Sequence, residues 1–213
     1  MSKTLIRTEE RIVAKALEMF NEKGIEYVGM RELAASLDIR VSNITYYFPT
    51  KDDLVNRLSL DFSALNSKLI VENSGASLKS FLEMFHQVFL NHVTYRCLLL
   101  SFVHLMERNK PMALRYNKIQ GKRHSTLIAN LTMLVNRNYL KFRHESDGEI
   151  LVSSIRLISR FWISDAAISL RHWNVDQQIQ HYLIILVRLL SPYATSKGKK
   201  DLEEFIKGLS KRQ

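Results

Sequence analysis

The chain has 213 residues, of which 46% are hydrophobic, with 7 glycines, 3 prolines and a formal net charge of +10. This length suits one sizeable core or two small ones, and the scarcity of glycine and proline predicts a compact, mainly helical protein. The single cysteine, Cys97, excludes an intramolecular disulfide and indicates a reducing compartment. The chain begins without a signal-peptide pattern, and its apolar runs are too short to span a bilayer, so we expect a soluble, cytoplasmic protein with no membrane partner.

The first predicted helix covers Thr8 to Lys23. Thr8 is a suitable N-cap, and Gly24 is a suitable terminator. One face of this helix carries the apolar residues Ile12, Val13, Ala16, Leu17 and Phe20.

A second, short helix is predicted from the spacing of Met30, Leu33, Ala34 and Leu37, which follow the i, i+3, i+4, i+7 pattern. Asp38 interrupts that pattern, which resumes with a new phase. Two short helices joined by a turn of a few residues are typical of a helix-turn-helix. Asp38 suits the turn, because Asp and Asn adopt positive φ more readily than most residues.

The third predicted helix has two different faces. Ile44 and Phe48 lie one turn apart and point one way. The remaining positions carry small hydrogen-bonding groups beside two tyrosines: Arg40, Ser42, Asn43, Thr45, Tyr46 and Tyr47. Such a surface suits contact with DNA bases and phosphates. The alternative is a pair of short core helices with a tyrosine-rich surface.

A fourth helix is predicted to begin after Pro49, with Thr50 as its cap and two acidic residues in its first turn. Lys51 is predicted to project where a phosphate could lie.

The segments Thr8–Phe20, Gly24–Leu37 and Ile44–Leu54 together resemble the N-terminal domain of TetR-family transcriptional regulators. The resemblance implies that the third helix opens toward base edges and that residues around it contact phosphates. Its implied DNA-binding residues are Arg31, Arg40, Val41, Ser42, Asn43, Thr45, Tyr46, Tyr47 and Lys51. Val41 has two interpretations, since its spacing to Ile44 favours burial whereas the family register favours contact with a thymine methyl group.

Further helices are predicted along the rest of the chain. The fourth continues to about Leu69, ahead of a break at residues 73–75. Two helices lie in residues 77–109, divided near Tyr95. Another starts at Pro111 and extends to about Leu140, with Leu114 on its apolar side, and the polar segment Lys141–Asp147 is predicted to be a loop.

Two apolar helices are predicted late in the chain, at Gly148–Trp173 and Asp176–Tyr193. The resemblance implies that this pair forms a homodimer interface, although spacing alone equally allows a monomer core. Residues 197–211 form either a short basic amphipathic helix or a tail. The predicted fold is all-α, with a three-helix helix-turn-helix domain at residues 1–52 and a larger helical effector-binding and dimerisation domain at residues 53–213.

The positive charge is concentrated away from the predicted helix-turn-helix. Residues 1–51 contain eight Lys and Arg against seven Asp and Glu, whereas residues 105–143 contain nine Lys and Arg and only Glu107. A basic surface is expected in a DNA-binding protein. The basic 105–143 segment is therefore either a solvated face or a second contact with an anionic partner.

No catalytic or metal-binding motif is present in the sequence. The seven histidines lack the spacing of a zinc helix, and there is no glycine-rich phosphate loop or nucleophile motif, so we predict no enzyme activity, no metal and no cofactor. Polar residues within the apolar helices are candidates for a ligand pocket in a family whose C-terminal domain commonly binds an effector. They are His86, Gln87, Asn91, Tyr95, His104, Trp162 and Asp165. Each is alternatively a satisfied core group or a surface residue.

The sequence favours a sequence-specific DNA-binding transcriptional regulator. The resemblance implies a ligand-responsive repressor that binds a palindromic operator as a homodimer, with double-stranded DNA and a small-molecule effector as partners. The alternative is a helical interaction protein whose basic 105–143 face binds an acidic partner or a membrane surface.

Overall fold

The computed structural model describes residues 3–72 and 77–211, with side chains from Thr8 to Leu69 and from Ser77 to Lys211. Within these ranges the protein is all-α, as predicted, and its only β-type contact is an isolated bridge between Leu140 and Ala194. The helices are α1 (Lys3–Lys23), α2 (Met30–Ser36), α3 (Val41–Tyr47), α4 (Lys51–Glu72), α5 (Leu78–Thr94), α6 (Arg96–Leu100), α7 (Phe102–Arg108), α8 (Lys110–Asn136), α9 (Asp147–Ser169), α10 (Val175–Leu190) and α11 (Ser196–Ser210).

Helix α1 begins at Lys3, so Thr8 lies inside the helix and the prediction that it is the N-cap is wrong. Residues 3–7 contain no glycine or proline that would stop the helix from extending toward the N-terminus. The predicted end is confirmed, because Gly24 adopts a positive φ of 93° and its N–H donates to the carbonyl of Phe20.

Helix α4 begins with a capping box, which agrees with the predicted role of Thr50. The Asp53 N–H donates to Thr50 Oγ1 at 3.2 Å, and the Thr50 N–H donates to Asp53 Oδ2 at 2.9 Å. The helix continues to Glu72, as its apolar pattern predicts. The break predicted at residues 73–75 lies outside the described residues.

The helices between residues 77 and 140 differ from prediction in three details. The division at Tyr95 is confirmed, but Ser101 divides the second helix again into α6 and α7. Helix α8 ends at Asn136, because the chain turns through Asn138 at a φ of 60°. Leu114 is 73% exposed, so its predicted place on the apolar side of α8 is wrong.

The late helices follow the sequence more closely. Helices α9 and α10 correspond to the predicted ranges Gly148–Trp173 and Asp176–Tyr193, although they end earlier, at Ser169 and Leu190. A capping box between Asn174 and Gln177 begins α10. Residues 197–211 form helix α11 rather than a tail, because Leu202, Phe205 and Leu209 are buried along one face.

The chain divides into two compact units, and the division differs from the predicted boundary at residues 52 and 53. The first unit contains residues up to Ala64 together with Tyr95–Tyr116, and the second contains Leu65–Thr94 and the residues from Asn117 onward. The core of the first unit is built from α1 to α4, and α6, α7 and the start of α8 complete it. Its buried residues include Ile12, Phe20, Leu33, Ile44, Leu58, Leu98 and Met112.

Within the first unit, Asn21 near the end of α1 holds α6 against α1. Its side-chain carbonyl accepts the N–H of Cys97 at 3.0 Å, and its backbone carbonyl accepts Arg96 Nη2 at 2.8 Å. Burial raises the pKa of the Cys97 thiol to about 12. Cys97 is therefore a core thiol rather than a reactive one.

Arg57 of α4 holds the opposite end of α1. Its guanidinium donates to Glu9, to Glu10 at 2.8 Å and to Asp61 at 3.1 Å. These carboxylates, with the bond to Glu10 as the largest influence, raise the pKa of Arg57. The network fixes α1 against α4, and the helix-turn-helix lies between these two helices in the chain.

In the second unit, α5 contacts α9, α10 and α11. Trp162 of α9 is almost fully buried, with its ring centroid 4.9 Å from that of Phe89 and 5.4 Å from that of Tyr182. Asp201 of α11 accepts the N–H of Lys79 at the start of α5, at 3.0 Å. This carboxylate satisfies one of the free amide groups at the N-terminus of α5.

Candidate nucleic-acid interface

The turn between α2 and α3 has the backbone conformation that the sequence predicts. Asp38 has a φ of 53°, and the N–H groups of Leu37 and Ile39 both donate to the carbonyl of Ala34, at 3.2 and 3.1 Å. Leu33 and Ala34 of α2 and Ile44 of α3 are buried against the rest of the first unit. The packing therefore fixes which face of α3 points to solvent.

The outward face of α3 is polar and aromatic. Ile44 is fully buried and Phe48 nearly so, whereas Arg40, Ser42, Asn43 and Tyr46 are exposed. Tyr46 is 70% exposed, and its ring meets that of Tyr47 edge to face at 5.0 Å. Small hydrogen-bonding side chains beside an exposed ring form a surface suited to the groove of a duplex.

Three predicted contact residues on α3 are only half exposed. Val41 and Tyr47 both pack against the core of the first unit, so each has one side buried and one side accessible. Thr45 is also half-buried, and its hydroxyl donates weakly to the Ser42 carbonyl at 3.4 Å. Arg31, in the first turn of α2, is exposed.

Lys51 is placed differently from its prediction as a phosphate ligand. Its ammonium donates to the backbone carbonyls of Ile25, Glu26 and Val28, at 2.9, 3.3 and 3.2 Å. An ammonium has three N–H donors, and these three bonds use all of them. In this conformation Lys51 therefore holds the loop between α1 and α2.

The residues predicted to form a ligand pocket do not form one cluster. Tyr95 and His104 belong to the first unit and the other five to the second. Tyr95 is buried with its ring centroid 5.4 Å from that of Phe62, and His104 is exposed near Arg108. A single pocket within the second unit therefore cannot include Tyr95 or His104.

The five predicted pocket residues of the second unit also differ in exposure. Gln87 and Asp165 are exposed and His86 is half-buried. Asn91 donates to Asn66 of α4 at 3.1 Å, and Asp165 accepts the hydroxyl of Tyr182. Burial and this bond raise the pKa of Tyr182. Only Trp162 lies deep in the core.

The partner of Trp162 is a histidine that the sequence interpretation did not single out. Trp162 Nε1 donates to His92 Nδ1 at 2.9 Å, and the two rings stack. Burial, reinforced by the charge of Arg123, lowers the pKa of His92 to about 3. His92 follows Phe81, Phe85 and Phe89 at helical spacing, and this pattern was the available signal that it faces inward.

A surface depression of about 370 Å³ lies along α10 and just before it, and contains none of the predicted pocket residues. It is lined by Trp173, Gln177, Gln180, His181 and Ile184. The ring of Trp173 meets that of His181 edge to face at 5.6 Å.

The basic residues of the 105–143 segment differ in their exposure and in their partners. Arg115 donates to Asn56 of α4, and His124 contacts Glu149 at 3.2 Å. Lys118 and Lys122 are exposed, whereas Arg123 is half-buried. Lys118 and Lys122, four residues apart on α8, therefore share one exposed face of the helix.

The described residues contain neither a metal-binding cluster nor a membrane-spanning helix. Among them, no group of three or more His, Cys, Asp or Glu side chains is arranged to hold a metal ion. Likewise, no helix in these ranges is both long and apolar enough to cross a membrane.

Known proteins provide two kinds of comparison. Residues 63–202 match the TetR family model described as "Bacterial transcriptional repressor", and residues 12–58 match the model of the bacterial regulatory proteins of the tetR family. A relative from Bacillus subtilis (strain 168), the probable HTH-type transcriptional regulator YttP, is 32% identical over 92 residues. That match covers 43% of this chain and 44% of the relative, so it spans less than half of either protein.

Solved structures share the fold along nearly the whole chain. A TetR-family regulator from Marinobacter aquaeolei VT8 has a TM-score of 0.85 at 16% identity, covering 98% of this chain and 99% of its own. A gamma-butyrolactone receptor (ArpA-like protein) has a TM-score of 0.68 at 14% identity, covering 99% and 100% of the two chains. NalD, a secondary repressor of the MexAB-OprM efflux pump in Pseudomonas aeruginosa, has a TM-score of 0.64 at 18% identity, covering 87% and 98%. The family models together match most of the sequence and agree with the exposed α3 surface, and the chain belongs to the TetR family of bacterial DNA-binding transcriptional regulators.

Proposed function

We propose that this chain is a homodimeric repressor that binds a palindromic operator through α2 and α3 and is released by a small-molecule effector. The observation that carries the proposal is the outward face of α3, where Arg40, Ser42, Asn43 and Tyr46 are exposed above the buried Ile44. Asn43 can offer a paired donor and acceptor to adenine, and Arg40 can offer two parallel donors to guanine. Val41, Thr45, Tyr47 and Arg31 would contact the surrounding bases and phosphates.

The proposed homodimer is supported by exposed apolar side chains on α9. Ile150, Leu157 and Ile168 are exposed at seven- and eleven-residue spacing, and Phe161 is half exposed between them. They lie on the side of the helix opposite Leu151, Ile155 and Trp162, which are buried in the second unit. A row of exposed apolar side chains of this kind marks an interaction surface.

Exposed apolar residues on and beside α10 extend the same argument. Trp173, just before α10, and Val175 and Ile185 on it are exposed, although this helix already buries Leu183 and Leu186 in the second unit. A two-fold interface would bury the α9 and α10 stripes of both copies together. Two DNA-binding heads related by such an axis would match a palindrome with half-sites about 34–36 Å apart or a multiple of that distance.

Release by an effector is supported by polar groups in the core of the second unit. Asn66, His92 and Asn130 are at least nine-tenths buried there, and the side-chain nitrogen of Asn130 has no hydrogen-bond partner among the described residues. A ligand would act by binding one conformation of the dimer better than the conformation that fits the operator.

The direct test is selection of bound duplexes from a random DNA pool by the full chain. We expect an enriched palindrome. Asn43→Ala and Tyr46→Ala should each weaken binding to the recovered duplex about 10-fold or more, because a good paired base contact is worth roughly 1–3 kcal/mol. Thermal unfolding should be unchanged, since both side chains are exposed.

Asn117→Ala provides the matched control, because Asn117 is also an exposed polar residue and lies on α8. It should leave the affinity for the recovered duplex unchanged. A pool without any enriched sequence, or equal losses in the control and the α3 variants, would count against the proposal.

A further inference from the structure

Two segments of the second unit that are distant in sequence meet at one place. The stretch after α8 and the stretch before α11 join through the bridge between Leu140 and Ala194. The Lys141 N–H donates to the Tyr193 carbonyl at 2.8 Å, and the Thr195 N–H donates to the Tyr139 carbonyl at 3.0 Å. The first residues of α11 are therefore fixed beside residues 137–143.

Side chains strengthen this junction. Thr195 Oγ1 donates to the Asn138 carbonyl at 2.7 Å and also accepts the N–H of Gly198 at 3.2 Å. Lys197 Nζ donates to the Arg137 carbonyl at 3.0 Å and lies 3.9 Å from the centre of the Tyr139 ring. These contacts hold the residues before α11 against the residues after α8.

Those side chains are strongly basic. Residues 137–146 and 193–200 contain six Lys and Arg and one acidic residue, Glu145. All six basic residues are exposed. We call this group the basic corner, and its members are Arg137, Lys141, Arg143, Lys197, Lys199 and Lys200.

The acidic residues that flank these stretches are directed to backbone groups. Asp147 accepts the N–H groups of Arg143 and His144, at 2.7 and 2.9 Å. Asp201 accepts the N–H of Lys79 at 3.0 Å. Backbone N–H groups hold both carboxylates, and the six basic side chains of the basic corner are exposed to solvent.

The composition of the basic corner favours duplex DNA over a membrane surface. Residues 137–146 and 193–200 include none of the large apolar side chains that are exposed elsewhere in the described chain. Membrane-surface binding generally combines basic groups with apolar side chains that enter the lipid, whereas a row of phosphates requires only positive charge and hydrogen-bond donors. The family already acts on DNA.

We propose that the basic corner is a second DNA-binding surface, which holds the phosphate backbone of duplex DNA independently of sequence and of α3. This surface accounts for part of the excess positive charge, because the helix-turn-helix segment itself is nearly neutral. The contact would raise the local concentration of DNA around the protein.

The experiment separates this surface from α3. In the full chain carrying Asn43→Ala and Tyr46→Ala, binding to a non-operator duplex is measured against salt concentration. The corner variant adds four further substitutions to that chain: Lys141→Gln, Arg143→Gln, Lys199→Gln and Lys200→Gln. These leave the hydrogen bond from Lys197 to the Arg137 carbonyl in place. The matched control adds Lys118→Gln, Lys122→Gln, Arg171→Gln and Lys207→Gln, which are also exposed in the second unit.

We expect the corner variant to bind the duplex at least about 10-fold more weakly at low salt. The slope of log affinity against log salt concentration should also become shallower by about 3–4, because each phosphate contact contributes roughly 0.9 to that slope. The control should change both quantities much less, and circular dichroism should show both variants folded. Equal losses in the two variants would overturn the proposal. So would tighter, corner-dependent binding to vesicles of anionic phospholipid than to the duplex.

The result is independent of operator recognition. With α3 intact, the corner variant should select the same DNA sequence from a random pool as the unmodified chain. A failure to select any sequence would contradict the proposed function, whereas an unchanged salt dependence would contradict the proposed corner alone.

Discussion

Lys51 illustrates how a side chain predicted to contact a phosphate can also stabilise the fold. It follows α3 closely, where a phosphate contact is expected, but its ammonium lies against three carbonyls of the loop between α1 and α2. Hydrogen bonds to a charged donor contribute more than neutral ones. The position of α2 relative to α4 therefore depends on this lysine.

Lys51→Met is expected to lower the free energy of unfolding by about 1–2 kcal/mol, because three carbonyls lose a charged partner and half-exposure reduces the effect. Urea denaturation measures this change. Lys118→Met, at an exposed position on α8, is the control and should change stability by less than about 0.5 kcal/mol. If Lys51→Met leaves stability unchanged but weakens DNA binding, the result would favour the predicted phosphate contact of Lys51.

His92 is the second residue whose role depends on its surroundings. Its pKa of about 3 in the folded chain is well below the ordinary value of 6.5, because burial and Arg123 both oppose its charge. Between these two values the unfolded chain binds a proton that the folded chain does not. Stability due to His92 is therefore complete above about pH 6.5 and decreases as the pH falls toward 3.

His92→Gln should make the stability less dependent on pH, because glutamine retains an acceptor for Trp162 Nε1 but does not titrate. Between pH 7 and about pH 4.5, the unmodified chain should lose about 2–3 kcal/mol more than the variant, from two pKa units at 1.36 kcal/mol each. Urea denaturation at a series of pH values gives both curves. Parallel curves would show that His92 is charged or exposed in the folded chain.

At the scale of elements, α11 is held by a close backbone approach that its own sequence does not reveal. A Cβ at Gly198 would lie 2.2 Å from the Tyr139 carbonyl oxygen, whereas a Cβ at Gly208, on the same helix, would meet nothing within 4 Å. The two glycines have the same intrinsic effect on a helix, so they form a matched pair.

Gly198→Ala should destabilise the chain by about 1–3 kcal/mol, because the added methyl group forces the α8–α9 connection and α11 apart. Gly208→Ala should be neutral or stabilising by up to about 1 kcal/mol. Thermal and urea unfolding measure both effects. Equal shifts in the two variants would mean that α11 is not docked through Gly198.

At the scale of the whole molecule, the exposed apolar stripe on α9 is the feature that a monomer leaves unexplained. Leu157 and Ile168 are 60% and 78% exposed, although they lie on a helix whose other side is buried. In the proposed dimer these side chains would be buried, and a carboxylate there would have to lose its hydration.

Leu157→Glu combined with Ile168→Glu should convert the proposed dimer to a monomer, and the same variant should lose cooperative binding to a palindromic duplex. Sedimentation velocity measures the first effect. Leu114→Glu is the control, because Leu114 is 73% exposed on α8 and should leave the assembly unchanged. A monomeric unmodified chain would contradict the proposed interface.

The sequence by itself determined the all-α class, the helix-turn-helix and the buried and exposed faces of α3. These features depend on short-range relations: the spacing of Leu33 and Ala34, the positive φ tolerated by Asp38, and the Thr50–Asp53 capping box. Hydrophobic periodicity and capping act over a few residues, so they are visible in one stretch of sequence.

Only the tertiary structure decided which distant residues meet. The attachment of Cys97 to Asn21, the pairing of Trp162 with His92 and the contact of Lys51 with the Ile25 carbonyl each join residues at least 26 positions apart. The residues predicted for the pocket are divided between the two units for this reason, since Tyr95 packs in the first unit. Side-chain type and helical spacing define a face, but the partner of that face depends on how the helices pack.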